Sequence, residues 1–235
     1  MITGASGGIG RAIGVAFAEA GWFVGVHYHR EKQAAEATLS LVNKAGGSGA
    51  IYQADIRDSS PVRSMVEAFY RDAPGITAVV CNAGIGCSTL LLRQRETEWA
   101  DVINTNLSGT FYCLQAAAPH LSARGGGSIV IVGSHAGFQG SGGQAAYAAS
   151  KAGLIGLMKT AALEWGPDNI RVNLVLPGWQ KTRLSEDSMP NDDAWLNHAL
   201  RRPPALQEVI KTIMRMAECQ DVSGQVWNCD SRHLR

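Results

Sequence analysis

Tyr147 and Lys151 stand four residues apart in the run Gln144-Ala-Ala-Tyr147-Ala-Ala-Ser-Lys151-Ala-Gly153. On a helix that spacing puts both side chains on one face, roughly 5–6 Å apart at Cβ. A phenol beside an ammonium is a poised proton donor, because the cation favours the phenolate and draws the tyrosine pKa down from about 10. Bringing it near neutrality takes about 4 kcal/mol, and one close positive charge in a partly dry site supplies much of that. Alone, such a pair is usually a half-buried ring beside a solvated amine. Its neighbours decide.

The elements that must position the pair follow from hydrophobic patterning. Residues 22–28, 76–81, 128–132 and 171–176 read as buried strands, with 50–54 a shorter one. Residues 10–20, 31–45, 60–72, 96–121 and 145–165 carry helical spacing of apolar residues. Such alternation predicts right-handed βαβ crossovers and an α/β fold: a doubly wound parallel sheet in a three-layer α/β/α sandwich. No linker or repeat interrupts it, so residues 1–235 read as one domain. Met1-Ile-Thr3-Gly4 enters a glycine turn almost at once. Either the first strand is unusually short or upstream residues are missing from the sequence. The polar stretch 180–204 is long for a simple connection and reads as a substrate lid or a surface excursion.

The formal net charge of +1 argues against nucleic acid as a partner. No apolar run reaches the roughly 18 residues of a membrane span, and no leader pattern precedes the first motif. The five cysteines are odd in number and scattered, without a Cys-x-x-Cys pair. That pattern predicts free thiols in a reducing cytoplasm and no metal site.

Thr3-Gly4-Ala-Ser6-Gly7-Gly8-Ile9-Gly10-Arg11 would open a helix with glycines at 4, 8 and 10. Glycines let bare amides approach a pyrophosphate at a helix N-terminus, where the dipole favours negative charge. The spacing is Gly-x-x-x-Gly-x-Gly rather than the common Gly-x-Gly-x-x-Gly. Its place at the first strand-to-helix turn makes nucleotide binding the better reading over tight packing alone. The next strand ends Val26-His27-Tyr28-His29-Arg30-Glu31. No acid occupies its tip to hold a ribose, and Arg30 with His29 could embrace a 2′-phosphate. This favours NADP(H), with NAD(H) the alternative if Arg30 merely begins a solvated helix.

The glycine turn, Asn82-Ala-Gly84, Asn106, Ser134, Tyr147-x-x-x-Lys151 and Pro177-Gly178 occur in one order along nearly the whole chain. Together they resemble the short-chain dehydrogenase/reductase family, of the type with this glycine spacing, and most of all its 3-oxoacyl-thioester reductases. The resemblance implies NADP(H)-dependent reduction of a ketone to a secondary alcohol. It makes Tyr147 the general acid, Ser134 a hydrogen-bond donor to the same oxygen, Lys151 the group that sets Tyr147's acidity, and Asn106 the holder of a relay water. Tyr147 and Lys151 would also meet the cofactor, as would Gly4, Ser6, Gly8, Ile9 and Gly10. Asp55 would meet the adenine amino group with Ile56 beside the ring, and Asn82, Ala83 and Gly84 the adenosine side. Pro177, Gly178 and Thr182 would flank the carboxamide. Cys87, His135, Gln144 and Trp179 adjoin motif positions and are the candidates for substrate contact.

Departures from the family pattern are also present. Cys81 stands where a second Asn is usual, a change read as neutral for packing. After Asp230 the chain lacks the customary paired glycines of the last strand, which contributes to a homotetramer or homodimer in relatives. The positions of basic acyl-carrier-protein docking residues hold Gly125 and Asp168, although Arg124 and Arg171 adjoin them. The alternative function is a non-catalytic dinucleotide-binding sensor or assembly subunit, expected to lose Tyr147, Lys151 or Ser134.

Overall fold

Apolar residues at consecutive positions commit the central strands to burial on both faces. Every residue of β4 (Gly127–Val132) and β5 (Ile170–Leu176) is buried. The computed structural model describes residues 1–73, 75, 78–182, 185, 195 and 198–232. β1 (Phe23–Tyr28) pairs with β2 (Ser48–Gln53), and β3 (Ala78–Cys81) begins a run through β4 and β5 to β6 (Val226–Asn228). All these pairings are parallel. Ile2 bridges Val26 of β1 and Val80 of β3 and so joins the two sets. The residues ahead of the glycine turn are secured by bonds from Thr3 N to Val80 O and His27 N to Ile2 O.

Because side chains alternate across a strand, β4 feeds two cores. Ile129 and Ile131 join Phe69, Leu114, Leu154 and Leu174 on one face. Val130 and Val132 join Ile13, Phe17, Val209 and Ile213 on the other. The first core is covered by α3 (Ser59–Asp72), α5 (Gly109–Ser122) and α7 (Ala145–Trp165), the second by α1 (Gly8–Glu19), α2 (Lys32–Lys44) and α8 (Leu206–Glu218). Each fully buried Leu or Ile contributes about 1.5–3 kcal/mol. This is the three-layer sandwich expected from the alternation.

Three elements differ from expectation. The stretch 96–121 is not one helix but α4 (Glu96–Ile103), a π turn over Asn104–Ser108, and α5. Its apolar period runs through the break, so pattern alone could not reveal it. α8 was not anticipated, although Val209, Ile210, Ile213, Met216 and Ala217 form its buried stripe. A short helix α6 (Ala136–Gln139) follows β4 directly. Most of the expected lid at 180–204, and residues 76 and 77 of the expected third strand, lie outside the described residues.

Candidate active site

The proton-donor pair lies one turn apart on α7, with Lys151 Nζ 5.7 Å from the centre of the Tyr147 ring. Ser134 leaves the end of β4 and hydrogen-bonds the Tyr147 side chain, while its Oγ accepts from Ala136 N at 3.2 Å. Lys151 is buried at 5% exposure and donates to Val132 O at 2.8 Å. Burial pushes its ammonium down from 10.5 to about 8. Burial also raises Tyr147, with the Ser134 hydrogen bond pulling the other way. The lysine's expected downward pull on the phenol is therefore not expressed in this arrangement. Desolvation dominates, and the ammonium is turned to a backbone carbonyl.

Asn106 sits in the π turn, fully buried, and clamps two other elements. Its Nδ2 donates to Ile85 O and Ser150 Oγ, each at 3.0 Å, and its Oδ1 accepts from Ile85 N at 2.8 Å. Both amide protons are thus spent on protein, which leaves no side-chain donor for the expected relay water.

At the glycine turn, Gly4 (φ +64°) and Gly8 (φ +55°) occupy the left-handed region. A Cβ on Gly10 would lie 2.4 Å from Gly4 O and 2.6 Å from Asn82 Nδ2, so only glycine lets α1 start so close to the strand ends. No side chain caps α1 at Gly7, so the first amides of the helix have no side-chain acceptor, as an oxyanion site at a helix N-terminus requires. Asn82 Nδ2 braces the turn through Thr3 O (3.0 Å) and Gly4 O (3.2 Å). Thr3 Oγ1 accepts from the amides of Asn82 and Ala83. Ser6 contributes its carbonyl to Arg11 at 2.7 Å. Thr182 reaches this turn from the far side, its Cγ2 3.3 Å from where a Gly8 Cβ would stand.

A cavity of about 190 Å³ opens at the C-terminal ends of the strands. Ser134, Tyr147 and Lys151 line it, with Ile9, Asn82, Gly84, Pro177, Gly178 and Thr182 on the cofactor side. His135, Gln144 and Trp179, the candidates for substrate contact, also line it. Cys87 does not line it, and its Sγ instead lies 3.4 Å from Thr89 Oγ1. Asn106 stands behind the wall. A larger cavity of about 360 Å³, lined by Met1, Trp22 and Phe69, lies at the opposite strand ends and holds none of these residues.

Residues 1–193 match the family model of the short chain dehydrogenases. The chain belongs to this family. It is 41% identical over 179 residues to the 3-oxoacyl-[acyl-carrier-protein] reductase FabG of Staphylococcus aureus strain Mu50, covering 76% of this chain and 73% of the relative. Over 234 residues it is 35% identical to the 3-oxoacyl-[acyl-carrier-protein] reductase of Synechocystis, covering 98% and 94% of the two chains. The crystal structure of levodione reductase superposes with a TM-score of 0.92 at 26% identity, covering 98% of this chain and 95% of that one. A short-chain dehydrogenase is an oxidoreductase working with a nicotinamide dinucleotide, and the glycine cradle of this chain fits such a group. No helix among the described residues is long and apolar enough to cross a membrane. Among them, no cluster of three or more His, Cys, Asp or Glu could hold a metal ion.

The remaining cofactor candidates of this short-chain dehydrogenase lie outside the cavity wall. His29 and Arg30 are exposed just past β1, and His29 Nε2 lies 3.5 Å from Asp55 Oδ2. Asp55 is gripped by Arg57, whose Nε and Nη2 donate to its Oδ2 at 3.0 and 2.7 Å. Those bonds hold its carboxyl down at about 2. The acceptor expected for an adenine amino group is thus already engaged. Ile56 is buried in the core, and its Cγ1 would lie 2.8 Å from a Cβ on Gly109, so it packs on α5 rather than standing open to a ring.

Sequence reasoning also missed several supporting residues. Thr3, Ser150 and Arg57 carry no motif signal of their own. Gln180 Nε2 ties Pro177 O to Pro204 O, each at 3.0 Å, and so closes the strand-end loop. Arg232, on the cavity wall, lies where the chain departs from the family pattern.

Proposed function

We propose that this protein is an NADP(H)-dependent carbonyl reductase that converts a ketone, a 3-oxoacyl thioester or a related compound, to a secondary alcohol. The observation that carries the reading is the contact of Ser134 with Tyr147 inside a cavity whose wall also holds Lys151. The bound dinucleotide supplies the hydride. Tyr147 gives its proton to the carbonyl oxygen, general-acid help worth roughly 10²–10⁴ in rate. Ser134 donates to the same oxygen as negative charge develops there. Lys151, on the same wall with its Nζ 5.7 Å from the centre of the Tyr147 ring, would hold ribose hydroxyls of the dinucleotide. Asn106 fixes the loop after β3 against α7 and thereby the floor of the site. Retention of Ser134, Tyr147 and Lys151 at one cavity speaks against the non-catalytic reading.

Arg30, exposed beyond a strand tip without an acid, supports NADP(H) over NAD(H). Arg124 donates to Tyr70 O and Ala73 O, and Arg171 to Cys219 O, so both basic residues near the expected carrier-docking positions are spent internally. A small-molecule carbonyl substrate therefore fits better than one delivered by an acyl carrier protein. The assembly we propose is a homotetramer or homodimer in the cytoplasm. Leu92 (98% exposed) and Leu91 (71%) offer apolar surface for it.

Oxidation of NADPH with a panel of 3-oxoacyl and cyclic ketones tests the activity. Tyr147→Phe is expected to lower turnover roughly 10²–10⁴-fold with NADPH binding preserved, and retained turnover overturns the assignment. Arg30→Ala is expected to raise the KM for NADPH about tenfold and to leave that for NADH nearly constant, the loss of one charged hydrogen-bonding partner. Equal effects on both coenzymes would remove Arg30 from the 2′-phosphate.

A further inference from the structure

Arg232 is the one guanidinium on the wall of the active-site cavity among the described residues. Its side chain is 20% exposed, and it is held from behind by Asp230, whose own side chain is fully buried. Arg232 Nε donates to Asp230 Oδ2 at 2.9 Å, and Nη2 donates to the same oxygen. Arg232 N donates to Asp230 Oδ1 at 3.0 Å, and Asn228 Nδ2 donates to Arg232 O at 2.8 Å. Asp230 is wedged in turn against the nicotinamide-side loop, where a Cβ on Gly178 would lie 2.7 Å from its Oδ2. The guanidinium is therefore fixed by its carboxylate and its backbone, not left to swing.

A guanidinium has five N–H donors in a rigid fork. Two are spent on Asp230, and among the described residues no protein acceptor meets the Nη1 edge. The cations of the cavity wall are Lys151 and Arg232, and no carboxylate lines it among the described residues. Lys151 is committed to Val132 O beside Tyr147. A neutral substrate offers the free Arg232 edge only carbonyl or hydroxyl acceptors, whose bonds are about half as strong as charge-assisted ones. An oxyanion matches the fork.

We propose that Arg232 receives an oxyanion carried by the substrate, a carboxylate or a phosphate, so that the preferred ketone is anionic. The proposal rests on the reductase reading and names the substrate class for that same site. Tyr147→Phe protein saturated with NADPH is titrated calorimetrically with two pairs: 3-oxobutanoate against its methyl ester, and dihydroxyacetone phosphate against dihydroxyacetone. The anion of at least one pair is expected to bind roughly 10- to 100-fold more tightly than its neutral partner, the range for a hydrogen-bonded charge. The pair that shows the preference tells carboxylate from phosphate. Adding Arg232→Gln collapses that ratio. Arg232→Lys, which keeps a cation for Asp230 and loses the fork, gives an intermediate ratio and guards against a mere folding defect. Ratios near one in both pairs, a ratio that survives Arg232→Gln, or an equal loss of NADPH binding would each overturn the proposal. An anion preference in protein whose wild type reduces no ketone keeps the Arg232 site and sinks the reductase reading, and turnover without preference does the reverse.

Discussion

Lys151 carries a charge that the fold makes costly to keep, and this leaves a measurable trace in stability. Its ammonium is lowered by burial from 10.5 to about 8. Below about pH 8 both folded and unfolded chains hold the proton, and the fold bears the full desolvation cost. Between about 8 and 10.5 only the unfolded chain holds it, so the cost fades as pH rises and is gone above 10.5. The change amounts to roughly 3 kcal/mol. Urea unfolding of the wild type and of Lys151→Met at pH 7 and pH 10 isolates it, because other titrating groups cancel in the difference. The stability of the wild type relative to the variant is expected to rise toward pH 10. A pH-independent difference would mean that the ammonium is solvated.

At the scale of elements, the π turn between α4 and α5 does the positioning that no strand or loop performs. Asn106 Nδ2 and Oδ1 satisfy both backbone groups of Ile85. Asn106→Ala removes those partners and is expected to cost about 1–3 kcal/mol for each group left buried and unpaired. A thermal melt reads that loss, and an unchanged midpoint would show the loop after β3 to be held by other contacts. Much of this architecture was legible in the chain. Continuous apolar runs announced β1, β3, β4 and β5 to within a few residues, and Ala145–Trp165 was read with the bounds it has. The motif residues Ser134, Tyr147 and Lys151 meet as their order implied. What stayed hidden has a physical reason in each case. Buried positions at Val102, Asn106, Thr110, Cys113 and Ala117 keep a near-helical spacing across the π turn. Asn106 works on backbone groups, which leave no mark in sequence. Nothing in the string Asp55-Ile-Arg57 shows that the arginine folds back onto the carboxylate. Arg232 lies in a tail without any motif, and only the sheet order brings that tail to the cavity.

Across the whole molecule, the parallel sheet sends every strand's C-terminal end to the same side, and the chemistry gathers there. The pieces come from far apart in the chain. Thr3 holds the amides of Asn82 and Ala83, His135 Nε2 pairs with Asn228 Oδ1 at 3.1 Å, and Asp230 backs Gly178. Such non-local closure is slow relative to helix formation. The cavity therefore depends on a long-range contact, the seating of Asp230 behind Gly178. In refolding from denaturant, ellipticity in the far ultraviolet is expected to recover before enzymatic activity, with the lag set by seating of the C-terminal strand. Simultaneous recovery of the two signals would show that the tail docks early. The position of Asp230 thus gives the fold a temporal order: the cavity is finished only when the segment after β6 has seated behind Gly178.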